Sequence, residues 1–263
     1  MIQIDTEAFP IIAEERRAIL LRELDENGYI QAAELAARLN TSPITIRRDL
    51  SILEMEGLCI RKRGGAVRSI QSITLELPYQ IKQKSFSAEK KRIAEEAVKL
   101  VKPGNTIILD AGSTTYSLAL LLSKKRITVV TNDLQIAVKL ASNPNINLVC
   151  TGGSARLNVY SLHGSQVDAF IRTLRVDITF LGADAIHPDG TVSNVNLEEA
   201  SLKQAMMQAA NRVILLTDSS KFTKTSFAKV CDLEDLDMII TDGGISKEQQ
   251  NLLESKDINA IIV

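Results

Sequence analysis

Apolar runs long enough to cross a bilayer are absent from this sequence of 263 residues, so we expect no transmembrane segment. The N-terminal stretch carries acidic residues early and lacks the basic start of a signal peptide, and we therefore expect a cytoplasmic protein. Hydrophobic residues make up 45 % and charged residues 24 % of the chain. This composition is ordinary for a globular protein with a sizeable core.

Cysteine and histidine are scarce, and their spacing does not suit metal chemistry. Cys59, Cys150 and Cys231 lie far apart, and an odd number without CxxC spacing argues against a disulfide framework or a structural zinc site. We expect all three to be small core residues. His163 and His187 follow no ligand spacing, which favours structural or surface roles. The sequence therefore predicts no metal ion and no cofactor.

A large excess of either charge is also missing, since the net charge is −1. The local balance differs, because seven basic and three acidic residues between Arg38 and Arg68 give that segment a charge of +4. A basic patch on a small module is the electrostatic footprint expected of a DNA contact. An ordinary solvated face can have the same composition.

The N-terminal part has helical periodicity followed by a short hairpin. A first helix ends at Asn27-Gly28, a second covers QAAELAARLN, and a third is capped by Ser42 with Pro43 at its first position. The glycines after Arg63 suit a tight turn between two short strands. We interpret the second and third helices as a helix-turn-helix and the basic turn as a wing. A plain three-helix bundle is the alternative.

The third helix presents a polar face when Ile46 points inward, because Leu50 and Leu53 then share its buried side. The opposite face carries arginines for guanine edges or phosphates, hydroxyls for phosphates and a small apolar contact for thymine methyls. Together with the wing, the predicted DNA-binding residues are Ser42, Ile44, Thr45, Arg47, Arg48, Ser51, Arg61, Lys62, Arg63 and Gly64.

The remainder of the chain alternates Val/Ile/Leu-rich strands with amphipathic helices, which indicates a parallel sheet covered on both faces. We predict a winged helix-turn-helix domain at 1–68, a linker at 69–87 and a Rossmann-like α/β domain at 88–263. The predicted strands are TIILD (106–110), ITVVT (127–131), INLVC (146–150), DITFLG (177–182), RVILLT (212–217), DMIIT (237–241) and NAIIV (259–263).

Several of these strands end in polar, glycine-containing tips, and ligands of open α/β sheets bind at the carboxyl ends of strands. The Gly-Ser-Thr loop after the first strand resembles a phosphate cradle, although simple helix capping explains it equally well. Lysines and arginines would pair with a phosphate, and carboxylates would accept from sugar hydroxyls. The predicted effector-binding residues are Asp110, Gly112, Ser113, Thr114, Thr115, Thr131, Asn132, Gly152, Gly153, Arg156, Asp184, Glu198, Lys203 and Lys221.

The segment from ERRAILL to RKRGGAV resembles the N-terminal signature of the DeoR family of bacterial sugar-metabolism repressors, and later segments follow the family's order over about 250 residues: DAGSTT, TND, TGGSAR, LGADAI, NLEEA and TDSSKF. The resemblance supports Lys203 and Lys221 most, because the EA-x-x-K and DSSK patterns are retained. It implies a C-terminal sensor domain similar in fold to ribose-5-phosphate isomerase. Gln31 and Lys82 depart from the family's usual residues.

We therefore predict a transcription repressor of a sugar-utilisation operon, with operator DNA, a sugar-phosphate effector and a second copy of itself as partners, as a homodimer or homotetramer. We do not expect an enzyme. Two alternatives stay open, namely a sugar-phosphate isomerase with an accessory N-terminal module and a constitutive DNA-binding protein with a dimerising C-terminal domain. A dinucleotide-dependent oxidoreductase is disfavoured, because no GxGxxG follows the first strand of the α/β domain.

Overall fold

The computed structural model describes residues 11–68 and 76–263. The chain divides into two compact units, the first ending at Ser85 and the second beginning at Phe86. Residues 1–10 of the predicted DNA-binding domain and residues 69–75 of the predicted linker lie outside the described residues. In the described part of the chain, no helix is both long and apolar enough to span a membrane.

The first unit has helices and short strands where sequence signals start and stop them. The first helix ends before Gly28, which has a φ of 72° and donates its N–H to the Leu24 carbonyl at 2.9 Å. The third begins behind Ser42, whose Oγ accepts the Thr45 N–H at 3.1 Å. The elements are α1 (Ala13–Asn27), β1 (Tyr29–Gln31), α2 (Ala32–Arg38), α3 (Pro43–Met55), β2 (Cys59–Lys62), β3 (Gly65–Arg68) and α4 (Tyr79–Lys84).

The hairpin of β2 and β3 is joined by β1, giving an antiparallel sheet in the order β1-β3-β2. Strand β1 was not predicted, because three residues are too few to show a period. Gly65 must be glycine here, since a Cβ at this position would lie 1.8 Å from the Ile30 carbonyl oxygen. The core below the sheet is formed by residues such as Leu20, Leu24 and Leu53. Ile12 is in phase with the apolar positions of α1 but is 51 % exposed, because it precedes the first turn of the helix.

Helix α4 lies within the segment predicted as a linker. Its Tyr79 and Ile81 are buried, and Ile81 joins the hydrophobic core of the first unit. The helix packs against α1. Six residues are too short for helical periodicity to be seen in the sequence, so only the tertiary contact with α1 reveals this helix.

The second unit contains the alternating strands and helices. Its elements are α5 (Ser87–Ala97), β4 (Thr106–Leu109), α6 (Ser113–Leu121), β5 (Ile127–Thr131), α7 (Leu134–Leu140), β6 (Ile146–Cys150), β7 (Ser154–Ala155), β8 (Leu162–His163), α8 (Ser165–Arg172), β9 (Ile178–Leu181), β10 (Ala185–Ile186), β11 (Thr191–Asn194), α9 (Leu197–Ala209), β12 (Val213–Leu216), β13 (Ala228–Asp232), β14 (Met238–Thr241), α10 (Lys247–Ser255) and β15 (Ala260–Ile262).

Among the described residues, all seven predicted strands lie in one parallel sheet with the order β15-β14-β12-β9-β4-β5-β6. The predicted α/β class is therefore confirmed. Side chains alternate between two cores, so that Ile107 and Leu109 face one side of the sheet and Ile108 faces the other. Helix α9 contributes to the second of these cores, and α5 and α6 contribute to the first.

Smaller elements decorate this sheet. Strands β10, β11 and β13 form a separate antiparallel sheet, and β7 pairs with β8 over two residues in each strand.

Two of the three cysteines are buried as predicted. Burial raises the pKa of the Cys59 thiol to about 11 and that of the Cys231 thiol to about 12. The prediction was wrong for Cys150, which is exposed because it ends the edge strand β6.

Candidate nucleic-acid interface and ligand site

Helix α3 has two sharply different faces. Ile46, Leu50 and Leu53 are buried together with Asp49. On the opposite side Arg47 and Arg48 are exposed, as are Pro43 and Ile44, the latter to 74 %. Thr45 and Ser51 are partly exposed at the edges. The cationic face therefore stays in solvent, as the periodicity predicts.

Strand β2 of the predicted wing is linked to α3 by hydrogen bonds. Arg61 donates from Nη1 to Ser51 Oγ at 2.9 Å, and its backbone N–H donates to Glu54 Oε1 at 2.9 Å. Ser51 Oγ in turn donates to the Arg47 carbonyl at 2.9 Å. Two of the predicted DNA-binding side chains thus contact each other. The remaining predicted wing residues, Lys62, Arg63 and Gly64, are exposed, and Gly64 has the positive φ of 87° that the turn requires.

Near the start of α3, the Ser42 and Thr45 hydroxyl oxygens lie 2.8 Å apart. Ser42 also caps the helix, so its hydroxyl has a structural role whether or not DNA is bound. The first-turn N–H groups of a helix carry partial positive charge that favours a phosphate. The predicted DNA-binding residues therefore occupy one helix face, its N-terminus and the adjoining turn.

In the second unit, the sheet order reverses direction between β4 and β9. From β4 the chain proceeds to β5 and β6 on one side, and from β9 to β12, β14 and β15 on the other. Ligands of open α/β sheets bind in the crevice at such a switch point, outside the carboxyl ends of the strands. The residues that follow β4 and β9 therefore define the candidate ligand site.

Asp110 and Lys203 form a buried ion pair at this point. Asp110 follows β4 and is 2 % exposed, and Lys203 reaches it from the middle of α9 with 3 % exposed. The Gly182 N–H donates to Asp110 Oδ2 at 2.9 Å. Burial alone would lower the pKa of Lys203, but the carboxylates of Asp110 and Glu199 outweigh it and raise that pKa. Lys203 is therefore a fixed ammonium group.

The residues at the end of β5 and just after it hold the loop after β4 in place through hydrogen bonds. Asn132 Oδ1 accepts the Ala111 N–H at 2.9 Å, and Asp133 Oδ2 accepts the Gly112 N–H at 3.1 Å. Asp133 also caps α7, and burial raises its pKa to about 6. Thr131 Oγ1 donates to the Leu109 carbonyl at 2.8 Å. The predicted residues Thr131 and Asn132 thus position the loop rather than simply projecting from the sheet.

Helix α6 begins directly behind this loop. Ser113, Thr114 and Thr115 are buried in its first turn, and Thr115 Oγ1 donates to the Gly112 carbonyl at 2.8 Å. The N-cap residue is Gly112, which has no side chain, so the start of this helix lacks a hydrogen bond from an N-cap side chain. The first-turn N–H groups are therefore suited to meet an anion.

The hairpin of β7 and β8 is held to the start of α9 by charged groups. Arg156 Nη1 lies 2.6 Å from Glu199 Oε1, Ser161 Oγ donates to the same oxygen, and His163 Nδ1 lies 2.5 Å from Glu198 Oε2. Gly153 allows the two sides of the hairpin to lie close together, because a Cβ at this position would lie 2.6 Å from the His163 carbonyl oxygen. Gly152 also has a positive φ, of 69°. A backbone requirement therefore explains both predicted glycines.

A second buried lysine, Lys90 on α5, was missed by the sequence prediction. It is 3 % exposed, and its Nζ lies 3.8 Å from Asp218 Oδ2, just beyond β12. Burial by itself would raise the pKa of Asp218, but the ammonium groups of Lys90 and Lys221 outweigh it and lower that pKa. The signal was present in the sequence, because Lys90 shares the buried stripe of α5 with Ile93 and Ala97.

Glu199 on α9 is a second buried residue that the sequence prediction missed. Glu199 is buried at 7 %, whereas the side chain of Glu198, the predicted ligand residue, is 63 % exposed. Helical phase could have shown this, because Glu199 lies four residues before Lys203 on the same helix face. The predicted Asp184 accepts the Val195 N–H at 3.1 Å, and Lys221 is partly buried in the turn after Asp218. Asp133 and Ser161 are further buried polar residues that the list of predicted site residues did not include, although Asp133 lies next to the predicted Asn132.

The two units together define a class of protein. The first is a winged helix-turn-helix with an exposed cationic helix, and the second is a Rossmann-like domain with fixed ionic groups and a helix N-terminus at its switch point. This combination is that of a DNA-binding protein with a separate ligand-binding domain.

Comparison with known proteins identifies the family. Residues 16–72 match the DeoR-like helix-turn-helix domain, and residues 85–243 match the DeoR C-terminal sensor domain. The chain belongs to the DeoR family of transcriptional regulators and binds DNA through its helix-turn-helix domain.

Relatives of similar length support this assignment. The putative aga operon transcriptional repressor of Escherichia coli O157:H7 is 36 % identical over 95 % of this chain and 93 % of its own length. The L-fucose operon activator of Haemophilus influenzae is 32 % identical over 94 % and 99 %. Among solved structures, ribose 5-phosphate isomerase A from Methanocaldococcus jannaschii covers 52 % of this chain and 55 % of its own, with 23 % identity and a TM-score of 0.40.

Proposed function

We propose that this protein represses a sugar-utilisation operon and that a phosphorylated sugar metabolite controls its affinity for the operator. The observation that carries the proposal lies at the switch point of the second unit, where the buried ion pair of Asp110 and Lys203 is followed directly by the loop and N-terminus of α6. A phosphate needs N–H donors and cations, and sugar hydroxyls need carboxylate acceptors. Relatives named as repressors of the aga operon and of the glycerol-3-phosphate regulon support this assignment.

In this proposal the two ends of the metabolite meet different groups. The phosphate binds the first turn of α6, with Lys90 and Lys221 as cations on the face that α5 and α6 cover. The hydroxyls bind Asp110, Lys203 and Glu199 on the α9 face. A ligand that bridges these groups favours one conformation of the second unit, and a homodimer or homotetramer transmits that preference to paired operator half-sites.

Binding without turnover fits the same groups. Proton abstraction from a sugar carbon needs a carboxylate that is free to accept the proton. Asp110 is engaged by Lys203 and by the Gly182 N–H, and Glu199 is engaged by Arg156 and Ser161. We therefore propose a sensor rather than an isomerase.

The sensing half is tested by thermal shift with pentose, amino-hexose and hexitol monophosphates, each beside its unphosphorylated parent sugar. A ligand that binds only the native state raises the apparent melting temperature. We expect one phosphate ester to do so and to change operator affinity. Lys90→Met should weaken its binding by ~10- to 100-fold, because a charge-assisted hydrogen bond is lost. Lys91→Met is the matched control on the same helix, since the Lys91 side chain is 72 % exposed.

Three outcomes would contradict the proposed function. Conversion of the sugar phosphate, lost in Glu199→Gln, would make the protein an isomerase. Operator affinity that stays the same with every sugar phosphate tested would make it a constitutive DNA-binding protein. Lower operon transcription after deletion of the gene would make it an activator, like the named L-fucose operon relative.

The DNA-binding residues are tested by comparing two exposed cations. Arg48→Ala should weaken operator binding by ~1–3 kcal/mol and relax base preference at one position, because a side chain on the helix face reads a base edge. Lys62→Ala should weaken binding to all duplexes alike and reduce the salt slope by about 1, because a wing lysine contacts phosphate. Unchanged operator affinity in Arg47→Ala, Arg48→Ala and their double variant would refute the assignment of this face.

A further inference from the structure

A carboxylate occupies the buried stripe of α3, where the helical pattern calls for an apolar side chain. Asp49 lies between Ile46 and Leu53 on the core-facing side and is 3 % exposed. It also immediately follows the exposed Arg47 and Arg48 in the sequence. A buried charge costs free energy unless it is paired, so its partners decide what it does.

Those partners are two arginines of α1. Arg16 Nε lies 2.5 Å from Asp49 Oδ2, and Arg17 Nη1 lies 3.8 Å from Asp49 Oδ1. Arg16 also donates from Nη1 to the Ile11 carbonyl at 2.9 Å, so its planar guanidinium group is held at two points. The pair joins α1 to α3 across the core of the first unit, beside apolar contacts that have no fixed direction.

Stability alone does not account for this arrangement. A well-packed apolar pair in place of a buried ion pair is often neutral or stabilising. An ion pair with hydrogen bonds in fixed directions specifies one geometry, whereas apolar packing tolerates small rotations. A rotation of α3 by about 20° at a radius of about 6 Å would carry a side-chain tip through about 2 Å. That displacement breaks a hydrogen bond to a base edge but leaves a contact with the more diffuse phosphate charge.

We propose that Asp49, held by Arg16 and Arg17, is a positioning residue that fixes the rotation of α3 about its axis and thereby its selectivity for operator sequence. The pair also neutralises the one carboxylate among the first eleven residues of α3, which would otherwise repel DNA phosphates. Asp49 and Arg16 themselves touch no base in this scheme. They act through the exposed side chains of the same rigid helix.

The test uses the full-length protein and a duplex that the wild type selects from a random library, beside a scrambled duplex of equal length. The main variant replaces the pair by apolar residues, Arg16→Met with Asp49→Leu. A second variant, Arg16→Lys, keeps the charge but cannot hold Asp49 and the Ile11 carbonyl together. The control is Glu23→Gln, which breaks the Arg38–Glu23 ion pair between α2 and α1 without touching α3.

We expect the ratio of selected to scrambled affinity to fall by at least ~10-fold in both variants, while affinity for the scrambled duplex stays within ~2-fold of the wild type. Glu23→Gln should leave the ratio unchanged. An unchanged ratio in a folded apolar variant would overturn the proposal, as would an equal loss on both duplexes. Loss of the native circular dichroism spectrum in both variants would also overturn it, because the pair would then be a general stability element.

Discussion

Cations are used in opposite ways by the two units of this protein. In the first unit Arg47 and Arg48 are exposed on α3, and Lys62 is exposed at the end of β2. In the second unit Lys90 and Lys203 are almost fully buried, each beside a buried aspartate. The first unit belongs to a domain that binds DNA, and the second is matched by a sensor-domain family.

This difference is the one expected for the two partners proposed above, because DNA and a small ligand differ in size and in the number of contacts they make. DNA presents a long array of phosphates, and exposed cations displace its counterions without a preformed cavity. A small ligand makes few contacts, so each must be strong, directional and fixed before binding. Burial supplies that fixation, and the paired aspartates offset the cost of burying a charge. In the first unit the buried ion pair of Asp49 lies beneath the exposed cationic face of α3 rather than in it.

The largest expected effect separates a buried cation from an exposed one. Lys203→Met leaves Asp110 buried without its ammonium partner and should lower the free energy of unfolding of the second unit by about 3–5 kcal/mol. Arg48→Ala should change the free energy of unfolding of the first unit by less than about 0.5 kcal/mol, because its side chain is exposed. Urea unfolding followed by circular dichroism measures both. Similar losses in the two variants would show that the contrast is not one of burial.

The next effect concerns two neighbouring glycines in the wing. Gly65→Ala should destabilise the first unit by about 1–3 kcal/mol, because the added Cβ meets the Ile30 carbonyl and β3 must move away from β1. Gly64→Asn should cost far less, since no atom lies within 4 Å and asparagine tolerates its positive φ. Thermal unfolding distinguishes the two. Equal melting temperatures would mean that β1 does not hold the wing in place.

The smallest effect is a pH dependence confined to the second unit. The pKa of Asp133 is about 6 in the native protein against an ordinary 3.8, so the native state binds this proton more tightly than the unfolded state. The resulting stabilisation is fully present below about pH 3.8 and is lost as the pH rises through about 6. Relative to Asp133→Asn, the wild type should lose about 2 kcal/mol of unfolding free energy between about pH 4.5 and about pH 7. Parallel pH curves for the two proteins would contradict it.

Local sequence patterns predict much of the architecture. Runs such as ITVVT and INLVC predict buried strands, and Ser42-Pro43 predicts the start of α3, because each signal acts within a few residues. Elements of two or three residues, such as β1 and β7, are too short to carry a period. Their existence depends on partners that are distant in the sequence.

The residues of the candidate site also differ in how far the sequence could predict them. Polar tips after β4, β5 and β9 could be recognised as ligand-site residues, since the carboxyl ends of parallel strands share one edge. Lys203 of α9 could be recognised from the family resemblance, whereas Lys90 of α5 and Glu199 of α9 were missed. Helical phase indicates both of them once one neighbour on the same helix is known to face inward.

By itself, the sequence determined that an exposed cationic helix would precede a parallel α/β domain with polar strand ends. Only the tertiary structure decided which charges are fixed: Asp49 by Arg16, Asp110 by Lys203, Asp218 by Lys90 and Glu199 by Arg156. The physical reason is that a helix or strand pattern is a short-range property, whereas the pairing of buried charges depends on residues brought together from far along the chain. The helix that begins at Pro43 was predictable as a DNA-binding element, and the buried pair that orients it was not.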